Sequence, residues 1–148
     1  VRGVIDYFAR NPGAAKSVTV IAGFKTPDDI LFRRDLKLWE ENLNLILTVD
    51  SREGDKSYRE GLVTAYIPDL EFGNMDDACA IVVGPPAMMR FSTMALMDRG
   101  LKEEQIWISQ ERKMCCGLGK CGHCKINDVY VCLDGPVFNF TKGRQLLD

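Results

Sequence analysis

Five of the six cysteines fall within residues 115–132, a thiol density suited to holding a metal centre. Counted from Cys116, the spacing is C-x4-C-x2-C-x7-C through Cys121, Cys124 and Cys132. The first three positions match the plant-type pattern of a [2Fe-2S] site, whose fourth thiolate lies further along the chain. Counting from Cys115 lengthens the first gap by one residue and spoils the match. Cys116 is therefore the expected ligand, and Cys115 a neighbour able to replace it. Gly117, Gly119 and Gly122 run through the same stretch, and glycine lets backbone amides approach a cluster's sulfurs closely because it has no Cβ and takes positive φ.

Two other uses of the cysteines compete with this one. Zinc sites usually pair two short knuckles across a longer gap, whereas this chain has one C-x2-C flanked by unequal arms. Disulfides suit secreted chains, and nothing in the sequence reads as secreted. His123, the sole histidine, stands between two expected ligands. Rieske centres need two histidines, so His123 reads as a solvent-facing residue of the loop.

With 148 residues the chain is long enough for one medium domain and a small appendage. A formal charge of −2 with no basic block leaves no electrostatic footprint for a nucleic acid. The longest apolar runs, 43–49 and 78–83, are too short to span a bilayer, and no secretory leader opens the chain. Thiols kept for a cluster imply a reducing compartment, so the expected location is cytoplasmic. The chain opens on valine, which suggests that it begins inside a longer protein.

Strands and helices alternate ahead of the cysteines. The pattern predicts a helix over 1–10, with Val1, Val4, Ile5 and Phe8 on one face and Asn11-Pro12-Gly13 as its stop. β-Branched strands are predicted over 17–23 and 43–49. Between them Thr26 caps a helix that starts on Pro27, runs to about Glu41 and buries Ile30, Leu31, Leu38 and Trp39. The stretch 50–61 is polar and rich in turns, and a short helix is expected over 63–70. A strand over 79–83 ends at Gly84-Pro85-Pro86. It holds Cys79 as a small buried apolar residue. A helix over 87–98 follows, its core side drawn from Met88, Phe91, Met94, Ala95, Leu96 and Met97, and a last strand covers 105–109. The methionines read as core filling rather than as a soft-metal site.

This alternation argues for an α/β protein with a parallel sheet over 1–110 and a small cysteine-rich metal-binding segment over 111–148. Ligands of such sheets bind beyond the carboxyl ends of the strands. Three post-strand stretches therefore hold candidate binding residues: Gly23, Lys25 and Thr26; Ser51, Arg52, Lys56 and Tyr58; and Gly84, Pro85 and Pro86. Each also has a plain structural reading. Thr26 can serve only as a cap, 51–58 only as a solvated loop, and Gly-Pro-Pro only as a rigid turn.

The motifs Gly23-x-x-Thr26-Pro-Asp-Asp-Ile-Leu-Phe32, Gly84-Pro-Pro-Ala-Met-Met89 and Ile108-Ser-Gln-Glu-Arg-Lys-Met114, the last running into the cysteines, resemble the ferredoxin-NADP reductase superfamily. The resemblance covers essentially the whole chain, and it is to the nucleotide-binding domain of the branch that ends in a [2Fe-2S] segment. That branch includes sulfhydrogenase gamma subunits and dihydroorotate dehydrogenase electron-transfer subunits, and the tail 132–138 resembles the sulfhydrogenase version most. The resemblance implies transfer of a hydride between nicotinamide and FAD, then of single electrons through the cluster to a partner such as a hydrogenase. A dihydroorotate dehydrogenase partner is the alternative, and a zinc-stabilised binding module without redox chemistry is another.

By position, the resemblance puts Gly84-Pro85-Pro86 near the nicotinamide and residues 23–26 near the pyrophosphate. Ser51, Arg52, Lys56 and Tyr58 resemble a 2′-phosphate pocket, in which cations and hydroxyls receive a dianion, and so point to NADP(H). Asp50 argues for NAD(H), because an acid there accepts from a free 2′-hydroxyl.

The family's first strand, its glycine-rich loop and its flavin-binding barrel have no counterpart here. In the family's strand order 3-2-1-4-5 that leaves two pairs of strands, each with an unpaired edge. The expected consequences are a homodimer or a rearrangement, weak FAD binding and no diaphorase activity for this chain alone.

Overall fold

Helix α1 (Arg2–Arg10) leads into strand β1 (Thr19–Phe24), helix α2 (Arg33–Asn42), strand β2 (Asn44–Val49) and the two-residue strand β3 (Arg59–Glu60). The structure, a computed structural model, describes residues 1–52 and 57–146. Lys56, one of the expected phosphate ligands, lies outside the described residues. The chain divides into two units, Val1–Tyr66 and Ile67–Asp148.

In the first unit β1 and β2 run parallel from the pair Thr19↔Asn44 to the pair Phe24↔Val49. β3 joins β2 through Thr48↔Arg59 and Val49↔Glu60, also in parallel. Nothing in the polar composition of 50–61 announces β3. Trp39 is 3 % exposed, and its indole N–H donates to Asp6 Oδ1 at 2.7 Å, joining α2 to α1. The Arg2 guanidinium reinforces that join with Asp35 at 2.9 Å. On α1 the expected apolar face is only partly used, because Ala9 is buried while Val1 and Val4 are exposed.

The single helix expected from Thr26 to about Glu41 is broken in two. The Asp29 carboxylate accepts from the Thr26 amide at 3.1 Å and from its hydroxyl at 2.9 Å, which closes one 3-10 turn over Pro27–Asp29. Ile30 then turns extended and Phe32 enters the left-handed region at φ 57°. Such a backbone costs about 1–2 kcal/mol. In return the Phe32 ring sits 6.0 Å from Trp39 and under the Arg2 guanidinium at 5.3 Å. Ile30 is buried as expected, and Leu31 is exposed.

The second unit holds strand β4 (Ala80–Val83), helix α3 (Pro86–Asp98), strand β5 (Ile106–Ser109), the short hairpin β6 (Lys125–Ile126) and β7 (Val129–Tyr130), helix α4 (Val131–Asp134), strand β8 (Val137–Asn139) and helix α5 (Phe140–Gly143). β4 and β5 are parallel, and β8 adds to β5 in antiparallel sense. Alternation sends Val82, Ile106, Ile108 and Phe138 to one buried face. Gly143 lies against that face, where a Cβ would come within 2.6 Å of Ile108 Cδ1. Ile81, Trp107 and Val137 point to the other face and are exposed.

On α3 the buried residues are Met89, Ser92, Thr93 and Leu96. Phe91 and Met94, expected in the core, are exposed. Cys79 is exposed rather than buried, since β4 begins one residue after it. The expected parallel pairs β1–β2 and β4–β5 both form, and they belong to separate sheets in which β1 and β4 are edge strands. Among the described residues no helix is long and apolar enough to cross a membrane.

Candidate functional site

The cysteine loop begins where β5 ends. Gly117, Gly119 and Gly122 all have left-handed φ, at 67°, 66° and 77°. The Leu118 and Lys120 amides lie 3.4 and 3.5 Å from Cys116 Sγ. Leu118, Cys121 and Lys120 amides together hold the Cys116 thiol below its ordinary pKa. The His123 amide does the same for Cys121, helped by the Cys116 side chain.

The second pair comes from the hairpin. Cys124, 2 % exposed, directly precedes β6, and its carbonyl accepts from the Val131 amide at 3.3 Å. Cys132 follows in the first turn of α4. A side-chain hydrogen bond with Cys124 pushes the Cys132 thiol up, against the Gly119 amide, which pulls it down. Electrostatic contact reaches from Cys132 to Cys116 as well.

The four expected ligands thus meet as two pairs, Cys116 with Cys121 and Cys124 with Cys132. Cys115 is exposed. Among the described residues no three of His, Cys, Asp and Glu converge closely enough to hold one metal ion. A [2Fe-2S] rhomb takes two thiolates on each iron and hydrogen bonds from backbone amides to its sulfurs, so this donor set fits it.

The expected nucleotide residues divide between the units. In the first, the β1–β2 ladder continues past the strand ends, where the Asp50 amide donates to Phe24 O at 3.0 Å and the Ser51 amide to Lys25 O at 3.2 Å. This brings Lys25 beside Ser51, both exposed. Gly23 makes room for its neighbours, since a Cβ would lie 2.6 Å from Val63 Cγ1 and 3.2 Å from Thr48 Oγ1. Thr26 has the capping role already described, with Asp29 on its amide and hydroxyl. Arg52 Nε donates to Glu60 Oε2 at 2.7 Å. Tyr58 lines a separate cleft of about 270 Å³ with Ser57, Arg59, Glu40, Leu45 and Leu47.

In the second unit a cleft of about 320 Å³ opens at the ends of β4 and β5. Gly84, Pro85 and Pro86 line it, joined by Met89, Gln110, Glu111, Arg112 and Leu146. Met88's methyl occupies the space a side chain at Gly84 would need. Sequence reasoning assigned no binding role to Gln110, Glu111 or Arg112, although they directly follow a strand and lie within the quoted motif. Leu146 carried no signal, because only tertiary packing brings it there.

Comparison with known proteins matches residues 1–93 to the oxidoreductase NAD-binding domain family and residues 111–142 to the iron-sulfur cluster binding domain of dihydroorotate dehydrogenase B. The chain is 33 % identical over 152 residues to sulfhydrogenase 2 subunit gamma of Pyrococcus furiosus, an alignment covering 90 % of this chain and 52 % of that protein. It is 33 % identical over 135 residues to the dihydroorotate dehydrogenase B (NAD(+)) electron transfer subunit of Bacillus mycoides, covering 84 % and 47 % respectively. Among solved structures, an NADH-dependent reduced ferredoxin-NADP oxidoreductase superposes with a TM-score of 0.63 at 28 % identity, covering 85 % of this chain and 44 % of that one. The cytochrome b5 reductase domain of Ulva prolifera nitrate reductase shares the fold, with a TM-score of 0.60 at 20 % identity, covering 71 % and 41 %. The chain spans about half the length of the curated relatives it matches.

Proposed function

The chain belongs to the oxidoreductase NAD-binding domain family, continued by an iron-sulfur segment of the dihydroorotate dehydrogenase B type, and from that premise we propose that it is the nucleotide- and cluster-binding part of an electron-transfer subunit. The observation that carries this reading is the meeting of Cys116 with Cys121 and of Cys124 with Cys132, with the Leu118 and Lys120 amides on Cys116 Sγ, in the same unit as the Gly84–Arg112 cleft.

Residues 111–148 form the cluster segment and 1–110 the nucleotide domain. When bound, a flavin and a [2Fe-2S] cluster supply the conversion between a two-electron donor and single-electron transfer. The protein's part is to hold and orient. Cys116, Cys121, Cys124 and Cys132 ligate the cluster. Gly84, Pro85 and Pro86 line the nicotinamide side, while Gly23, Lys25, Thr26, Ser51, Arg52, Lys56 and Tyr58 serve the phosphates and adenosine. FAD is the flavin that the resemblance implies, held mainly by a barrel domain and not by the nucleotide domain. The receiving partner is a catalytic subunit of hydrogenase type, with a dihydroorotate dehydrogenase subunit as the alternative. Thiolates kept for a cluster suit a reducing compartment such as the cytoplasm. The open edges of β1 and β4 offer pairing to a second copy.

For the nucleotide, NADP(H) is preferred, with Arg52 exchanging its Glu60 partner for the 2′-phosphate. Titration calorimetry of NADPH and NADH against the iron-loaded chain tests both statements. Tighter NADPH binding that Arg52→Ala abolishes is the expected result. Equal affinities untouched by that substitution would refute the NADP preference, and a chain that carries iron and sulfide yet binds neither nucleotide would refute the nucleotide role.

A further inference from the structure

The cleft at the ends of β4 and β5 is closed on one side by Leu146, which is 4 % exposed although it lies in a one-turn 3-10 segment, Arg144–Leu146, with no sheet to hold it. Two side-chain amides hold this turn at consecutive carbonyls. Gln110, itself 4 % exposed and also lining the cleft, donates through Nε2 to Leu146 O at 3.1 Å. Asn127 donates through Nδ2 to Gln145 O at 2.9 Å. Asn127 is at the tip of the β6–β7 hairpin, in the left-handed region at φ 50°, and the hairpin is bracketed by Cys124 and Cys132. An exposed Arg144–Glu103 ion pair at 2.8 Å adds only a weak further tie.

From this arrangement we infer that the Arg144–Leu146 turn is a coupling element: filling of the cysteine site fixes the hairpin, the hairpin fixes the turn through Asn127, and the turn fixes the wall of the nucleotide cleft through Leu146. The inference rests on the proposed nucleotide and cluster roles and deepens them. Gln110 and Asn127 are positioning residues in it. Metal binding orders the segment that supplies its ligands, and the hairpin tip at Asn127 stands beyond two-residue strands whose anchoring comes from the buried Ile126 and Val131 at their base. Without metal, the hairpin tip loosens and Leu146 leaves the wall, so nucleotide affinity falls even though no cysteine lines the cleft.

Hydrogen exchange with mass spectrometry on the chain tests this without relying on turnover. Removing iron is expected to speed exchange over 144–146 and at 110–112. Asn127→Gly, which keeps the left-handed turn and deletes only the amide, is expected to speed exchange over 144–146 by about three- to tenfold with the cluster's visible spectrum unchanged, the range of one net hydrogen bond. Asn127→Asp, which has the same shape but no N–H donor, is expected to behave alike. NADPH affinity should fall on iron removal and in both loaded variants. Exchange over 144–146 that ignores both iron and Asn127 would overturn the coupling. So would a loaded and an iron-free chain that bind NADPH equally tightly, a result that leaves the nucleotide role standing. A loaded chain with a protected tail that binds neither nucleotide overturns the nucleotide reading, and the wall's role with it.

Discussion

Gly117 and Gly119 form a matched pair in which backbone and packing demands on the cysteine loop can be separated. Their φ values are 67° and 66°, so alanine at either position meets the same left-handed strain of about 1–2 kcal/mol. At 117 a Cβ has nothing within 4 Å among the described residues, whereas at 119 it collides with Leu133 Cδ1 and comes within 3.2 Å of Leu133 Cγ. Leu133 is 59 % exposed and can turn away, at the price of an off-rotamer torsion of about 0.5–1.5 kcal/mol. Gly117→Ala should therefore cost about 1–2 kcal/mol and Gly119→Ala about 1.5–3.5 kcal/mol, the sum of backbone and rotamer strain. The double variant Gly119→Ala/Leu133→Ala removes the collision and should return to the Gly117→Ala level. The assay is the rate at which a chelator bleaches the iron-loaded chain, where a difference near 1 kcal/mol reads as about fivefold. Equal rates for the two alanine variants, or a double variant as labile as Gly119→Ala, would refute the reasoning.

Cys116→Ser should reduce iron incorporation sharply while Cys115→Ser leaves it near wild type, and equal losses in an iron assay would return Cys115 to the ligand set. In the metal-free chain, Cys116 and Cys121 have thiol pKa values held below the ordinary one and Cys132 has one pushed above it. Thiolate therefore appears at lower pH for the first two, and their alkylation rates, followed by mass spectrometry, should rise and level off at lower pH than that of Cys132. Thr48 Oγ1 is buried with no hydrogen-bond partner among the described residues. Thr48→Val keeps its shape and removes the orphan, so urea unfolding should show a gain of about 1 kcal/mol, and a loss of that size would imply a partner for the hydroxyl. Glu60→Gln leaves Arg52 without its carboxylate partner and removes a negative charge beside it, so NADPH affinity should rise by a few-fold relative to NADH. An unchanged ratio in calorimetry would place the 2′-phosphate elsewhere.

The strands β1, β2, β4 and β5 were legible because each is a β-branched or apolar run closed by turn residues, and α3 because apolar residues recur at helical spacing over 87–98. The break between Pro27–Asp29 and α2 was not legible. It depends on Phe32 reaching Trp39 and Arg2, contacts distant in sequence that outweigh a local helical pattern. β3 and β8 have two and three residues and take their identity from the strands they pair with, so no periodicity could reveal them. In the candidate site the cysteine spacing singled out Cys116, Cys121, Cys124 and Cys132, and the fold sets Cys116 beside Cys121 and Cys124 beside Cys132, a proximity legible because one short loop and hairpin carry all four. The second-unit cleft was half legible: Gly84, Pro85 and Pro86 follow a strand, whereas Leu146 arrives through Gln110 and Asn127, whose partners lie 36 and 18 residues away.

The central claim is that Cys116, Cys121, Cys124 and Cys132 hold a binuclear iron-sulfur cluster. Iron, zinc and acid-labile sulfide measured on chain purified without oxygen, with its visible spectrum, test this most directly. About two irons and two sulfides per chain, with absorption bleached by dithionite, are the expected result. One zinc per chain and no sulfide would contradict it and leave a zinc-stabilised module in its place.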